Sequence, residues 1–241
     1  MDNPSKGSTM NPIYVAFDNM DLFVARELAD ELRGLIGGLK IGLSFYMAHG
    51  RSGVRYVTAG YDWFLDLKFK DIPFQVDGAV RAIIPMEPRF ISIHESGGTE
   101  MMKAAVFAAQ DEAEALHLRR PGILAVTTLT SLTSTPQQIL VQAYHAQSCG
   151  CDGVIHSVSE AALLRSELRS DLILMTPGIR LDGSPVHDHV RSATPRQAID
   201  AGVNYFVIGR PVTQAQEPQE VIKAISATLN TAHPSSVDET A

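Results

Sequence analysis

The sequence predicts a single-domain α/β protein, a (β/α)8 TIM barrel, and three observations carry that prediction. Short apolar runs alternate with helix-patterned stretches along the chain, the pattern of βαβ units on a parallel sheet. Eight such runs can be marked out, the number that closes a barrel. Charged residues also stand at or near the C-terminal ends of several runs, where barrels of this kind place their chemistry. An open, doubly wound sheet is the alternative use of the same units.

The bulk properties agree. With 241 residues, 45% hydrophobic and 20% charged, the chain can bury a full core. Residues 1–11 are polar, with Pro4, Ser5, Gly7 and Ser8, and read as a disordered segment in which Met10 offers a natural start. The barrel is expected over 12–232, with 233–241 as a polar, disordered tail. A formal charge of −7 argues against nucleic-acid binding. No apolar run has bilayer length and the N-terminus lacks a charged-then-apolar leader pattern, so no membrane association and a cytoplasmic location are expected. Cys149 and Cys151 flank a glycine in no metal-ligand spacing and read as small apolar residues entering a strand.

The first strand is Ile13–Phe17, ending at Asp18, and its helix is expected over Leu22–Leu35 from the apolar spacing. Asp18 precedes a helix, so a capping role competes with a role in a site. The second strand, Gly38–Gly42, carries Lys40 among apolar neighbours, and a lysine there needs a reason. The third begins at Phe64 and carries Asp66 and Lys68. Residues at i and i+2 of a strand share a face, so an acid and an amine project together from an apolar stretch. Asp71 follows where Ile72-Pro73 ends the strand. A structural ion pair is one account; two acids and a lysine before a proline-containing loop read better as a catalytic cluster.

The fourth strand, Arg89–His94, leads to Ser96-Gly97-Gly98, and the fifth, Gly122–Thr127, leads to Thr130 and Ser131. Asp152–His156 is the sixth. His94 and His156 both end strands and read as satisfied structural histidines. The seventh and eighth strands are Leu172–Thr176 and Tyr205–Gly209. Many barrels bind phosphate through the loops after these two strands. Here Thr176-Pro177-Gly178-Ile179-Arg180 opens a long loop, through Gly183 and Pro185, to a helix expected near Thr194-Pro195. Ile208-Gly209-Arg210-Pro211 closes the eighth strand, with proline placed to start a short helix. Glycine exposes backbone N–H groups and arginine offers a planar fork for phosphate.

Asp66-x-Lys68-x-x-Asp71-Ile72-Pro73 resembles the signature of the orotidine 5'-phosphate decarboxylase family. Ala16-Phe17-Asp18, Lys40-Ile41-Gly42, Cys151–Ser157, Thr176–Arg180 and Gly209-Arg210-Pro211 resemble that family in the same order, from about Tyr14 to Pro218. The resemblance implies loss of CO2 from orotidine 5'-monophosphate to give UMP in pyrimidine biosynthesis, with no metal or organic cofactor. It implies that Lys68 stabilises the developing carbanion and protonates C6, and that Asp66 lies near the departing carboxylate. Asp71 would enter the site of a partner subunit, making a homodimer with shared sites. Asp18 and Lys40 would hold the ribose and complete a Lys–Asp network. Thr130, with Ser131 beside it, would meet the pyrimidine ring. Pro177, Gly178, Arg180, Gly209 and Arg210 would receive the phosphate.

Two positions depart from the family pattern. Phe74 and Gln75 stand where Asn-Thr usually follows, the second reaching the partner's site. Asp188 and His189 stand where Asp-Gln usually does, His189 in place of a glutamine that folds over the phosphate. Both bear on substrate affinity more than on reaction type. Rival readings are a Mg2+-dependent keto-gulonate-phosphate decarboxylase or hexulose-phosphate synthase of the same superfamily, and a non-catalytic nucleotide-phosphate-binding barrel. The former resembles the chain in Asp-x-Lys-x-x-Asp but carries glutamate where Lys40 stands; an intact Lys68 argues against the latter.

Overall fold

Along each strand, side chains alternate between two hydrophobic compartments, and this alternation builds the molecule. A computed structural model describes residues 11–129, 132–180 and 193–230. The expectations for the two termini therefore lie almost wholly outside the described residues. Eight parallel strands pair in sequence order and close on themselves: β1 (Ile13–Phe17), β2 (Gly38–Gly42), β3 (Trp63–Phe69), β4 (Phe90–His94), β5 (Gly122–Val126), β6 (Gly153–Ile155), β7 (Ile173–Pro177) and β8 (Tyr205–Ile208). The ring is sealed by β1 against β8, with Tyr14 opposite Val207.

Tyr14, Ala16, Phe64, Phe90, Leu124, Val126, Ile155, Met175 and Val207 pack inside the ring. The intervening residues, such as Val15, Leu39, Leu65, Ile91 and Val154, face the helices in a larger second core. Burying these two layers drives the fold.

The helices are α1 (Leu22–Glu31), α2 (Leu43–Thr58), α3 (Pro73–Ile83), α4 (Thr99–Ala115), α5 (Pro136–Ser148), α6 (Val158–Glu167), α7 (Pro195–Asp200), α8 (Arg210–Thr213) and α9 (Pro218–Asn230). Their starts follow local chemistry. Thr135 caps α5, with Pro136 in the first turn and Gln138 completing a capping box; Thr194 and Gln197 do the same for α7. Pro211 begins the short α8 as expected. α1 stops earlier than the apolar spacing suggests, because the chain turns through Gly34 at φ +77°. Leu32 and Ile36 are buried all the same, on that turn. Among the described residues no helix is long and apolar enough to cross a membrane.

Candidate active site

Four charged side chains form a line at the C-terminal end of the barrel. Asp18 follows β1, and its Oδ1 accepts from Lys40 Nζ at 2.7 Å. The same Nζ lies 3.7 Å from Asp66 Oδ2, which in turn accepts from Lys68 Nζ at 2.8 Å. The order Asp18–Lys40–Asp66–Lys68 alternates in sign. Asp18 does not cap α1; that role falls to Asp21, whose carboxylate accepts from the N–H groups of Phe23 and Val24. Gly42 makes the line possible, since a Cβ there would lie 1.7 Å from Asp18 Oδ1.

Asp66 is the most enclosed acid of the line, with a side chain 12% exposed. Burial alone would raise its pKa, but Lys40, Lys68 and a hydrogen bond from Ser92 together hold it below the ordinary value. It is therefore a carboxylate at neutral pH. Ser92 is the residue that sequence reasoning missed. Its hydroxyl donates to Asp66 Oδ1 at 2.9 Å, and its oxygen accepts the backbone N–H of Lys68 at 2.9 Å. The available signal was a serine facing inward between Phe90 and His94 on an otherwise apolar strand.

Lys68 meets Asp66, but not through regular strand geometry. Its φ is +53°, in the left-handed region that non-glycine residues seldom occupy. The β3–β4 register shifts between Leu65 and Phe69 at the same place. This bulge turns the lysine into the barrel mouth and leaves its side chain 34% exposed. A strained backbone at a charged, cavity-lining residue is the kind of local cost that functional sites carry.

The line borders a cavity of about 1100 Å³, whose wall also includes Pro177, Gly178, Arg180, Gly209 and Arg210 from the ends of β7 and β8. Gly178 has φ +80°, which its lack of a Cβ permits. Arg180 is buried and its backbone N–H bonds to Ala193, closing the neck of the β7 loop. Two arginines and two glycines on one wall form a suitable seat for a phosphate.

Other expected residues fall elsewhere. Asp71 and Gln75 are exposed and do not line this chain's cavity; among the described residues Asp71 Oδ1 accepts only from the N–H of Ile72, at 2.7 Å. Thr130, Ser131 and His189 lie outside the described residues. His94 is a correction. It lines the cavity, half-buried, and has no hydrogen-bond partner among the described residues. Burial, then Lys70 and Lys68, hold its pKa below the usual value. His156 is only half satisfied: it is buried and its Nδ1 donates to the Ser157 carbonyl at 2.7 Å, but its Nε2 has no hydrogen-bond partner among the described residues, and it too borders the cavity. Cys149 and Cys151 are buried thiols, and burial pushes Cys151 up to about 12.

A closed barrel whose mouth holds both a Lys–Asp line and an arginine-and-glycine wall defines a phosphate-ligand enzyme of the TIM-barrel class. Residues 11–225 match the family model described as the orotidine 5'-phosphate decarboxylase / HUMPS family, and the chain belongs to that family. It is 40% identical to an orotidine 5'-phosphate decarboxylase of Rhodospirillum rubrum, over 94% of this chain and 97% of that one. It is 38% identical to one from Gluconobacter oxydans, over 91% and 98%. Its fold superposes on the crystal structure of orotidine 5'-phosphate decarboxylase from Lactobacillus acidophilus with a TM-score of 0.76 and 30% identity, covering 92% of this chain and all of the other.

Proposed function

We propose that this chain decarboxylates orotidine 5'-monophosphate to UMP and CO2, a step of pyrimidine biosynthesis. The single observation that carries the reading is the Asp18–Lys40–Asp66–Lys68 line ending in a lysine at the mouth of a cavity. The bond from C6 to the carboxylate breaks heterolytically. CO2 departs and the electron pair stays on C6. Nothing in the pyrimidine delocalises that pair well, so the protein must meet the charge as it develops. The Lys68 ammonium, held by Asp66, supplies an opposing charge and then its proton to C6; solvent reprotonates the amine.

Asp66 holds Lys68 in place and is itself fixed by Ser92 and Lys40. Arg180, Arg210 and the Gly178 and Gly209 backbones seat the 5'-phosphate, and Thr130, Ser131 and His189 complete the nucleotide contacts. Lys40 separates this reading from a Mg2+-dependent relative, because a cation beside Asp18 and Asp66 repels a metal ion. The test is loss of orotidine monophosphate absorbance with EDTA present. Chelator-sensitive turnover, or none, would sink the assignment.

Asp71 acts across a homodimer interface in this proposal. It is exposed and outside its own chain's cluster, and Ile72 and Phe74 beside it expose 60% and 79% of their surface. Exposed apolar side chains around an acid suit a covered surface. Gln75, on the same turn, would reach the partner's nucleotide. Mixing inactive Lys68→Ala and Asp71→Ala proteins should then restore activity, up to roughly a quarter of wild type when half the dimers are mixed. Demonstrated subunit exchange with no recovery would place each site within one chain.

A further inference from the structure

Two side chains one turn apart on α5 reach into two neighbouring loops of the active-site end. Gln142 Oε1 accepts from Thr128 Oγ1 at 3.1 Å, and Thr128 lines the cavity on the loop after β5. His145 Nδ1 lies 2.6 Å from Glu95 Oε1, and its Nε2 lies 2.8 Å from Thr99 Oγ1. Glu95 opens the loop after β4 and directly follows His94, which ends β4 and lines the same cavity. The Glu95 side chain is 11% exposed, so its carboxylate depends on this partner.

The polarity of the network is fixed. A carboxylate only accepts, so Nδ1 carries a proton and donates to Glu95. A hydroxyl both donates and accepts, so Thr99 satisfies Nε2 in the neutral or the charged ring. The hydroxyl–imidazole–carboxylate order is that of a nucleophilic triad. Thr99, however, starts α4 and is not part of the cavity wall. The arrangement holds parts together instead of attacking a ligand.

We propose that His145 and Gln142 are positioning residues, which make α5 a strut setting the separation of the loops after β4 and β5. The proposal rests on the reading that the cavity takes a pyrimidine nucleotide. Thr130 and Ser131, expected at the pyrimidine ring, follow Thr128 by two and three residues. Pinning Thr128 and Glu95 to one rigid helix limits how far the two walls can part. A small displacement of such walls costs a reaction up to about a hundredfold, because the reacting group is no longer held in line.

The test compares His145→Leu, Gln142→Leu and Glu95→Gln, each with kcat and KM expressed per folded enzyme. Glu95→Gln keeps an acceptor for Nδ1–H and should stay within about threefold of wild type. His145→Leu should raise KM roughly tenfold, and Gln142→Leu about fivefold, with the double variant less than multiplicative because both act on one pair of loops. Should His145→Leu fail to fold, Thr99→Val and Gln142→Leu carry the test. Variants that lose thermal stability but keep wild-type kcat and KM would overturn the proposal, since their role would be structural alone. An active wild type is the control for the assigned reaction. If it were inactive, UMP affinity measured by calorimetry on the same variants would still decide the strut, and unchanged affinity would overturn it.

Discussion

The two ends of the barrel both hold charged side chains, and they use them differently. At the N-terminal end Asp62 accepts from Arg89 at 3.0 Å and pairs with Arg119 at 2.8 Å. Arg89 also donates to the Tyr205 hydroxyl at 3.3 Å and sits over the rings of Phe90 and Tyr205, at 5.3 and 5.8 Å from their centroids. Tyr14 meets Tyr205 edge-on, and burial pushes its phenol far above the usual range. Acid, guanidinium and aromatic rings close on one another there. At the C-terminal end the charges run in a line instead, and all four border the cavity. Charge that is mutually enclosed stabilises; charge left with one open side can act on a ligand.

The largest break in that comparison is Lys68→Ala. Removing the cationic end of the line should lower kcat by 10³-fold or more, roughly 4 kcal/mol of transition-state stabilisation. Folding and nucleotide binding should persist, because Asp66 keeps Lys40 and Ser92. Turnover within tenfold of wild type would remove Lys68 from the chemistry.

These contrasts show what the sequence could reveal. Asp66 and Lys68 were readable because charge in an apolar strand is costly and demands a use. The barrel was readable because helix and strand periods alternate eight times. The left-handed backbone at Lys68 was not, since a register shift between β3 and β4 depends on the neighbouring strand. Ser92 offers only the weak signal of a serine in an apolar strand, and its part in the site emerges only when β4 lies beside β3. His94 and His156 looked alike in sequence, each ending a strand. Both border the cavity, yet one is half-buried and the other wholly buried.

His156 sharpens the comparison at an intermediate scale, as a titratable group outside the line. Burial lowers its pKa from 6.5 to about 4, so the folded state holds it neutral. Between these values the unfolded chain binds a proton that the folded chain does not. Its stabilising contribution is therefore full above about pH 6.5 and is lost as pH falls toward 4. From about pH 7.5 to about pH 5 the loss should be about 2 kcal/mol. His156→Gln, whose amide can still donate to the Ser157 carbonyl, should show a flatter urea-midpoint profile. Parallel profiles for the two proteins would mean the imidazole is not held neutral.

The smallest effects belong to the closed end. Asp62→Ala leaves Arg89 without its carboxylate while its aromatic neighbours remain, and it should cost about 1–3 kcal/mol of stability. Arg119→Ala removes a half-exposed partner from the same acid and should cost under about 1 kcal/mol, because water screens that pair. Neither variant should change kcat or KM for a ligand at the opposite end. The ordering follows from the shared acid: Asp62 retains Arg89 when Arg119 is lost, whereas Asp62→Ala removes the carboxylate that both arginines meet. Urea titrations of both variants beside steady-state kinetics decide the matter. A change in KM beyond threefold in Asp62→Ala, with the folded fraction accounted for, would mean the two ends are coupled through the aromatic layer between them, and the division of labour drawn from their geometry would fail.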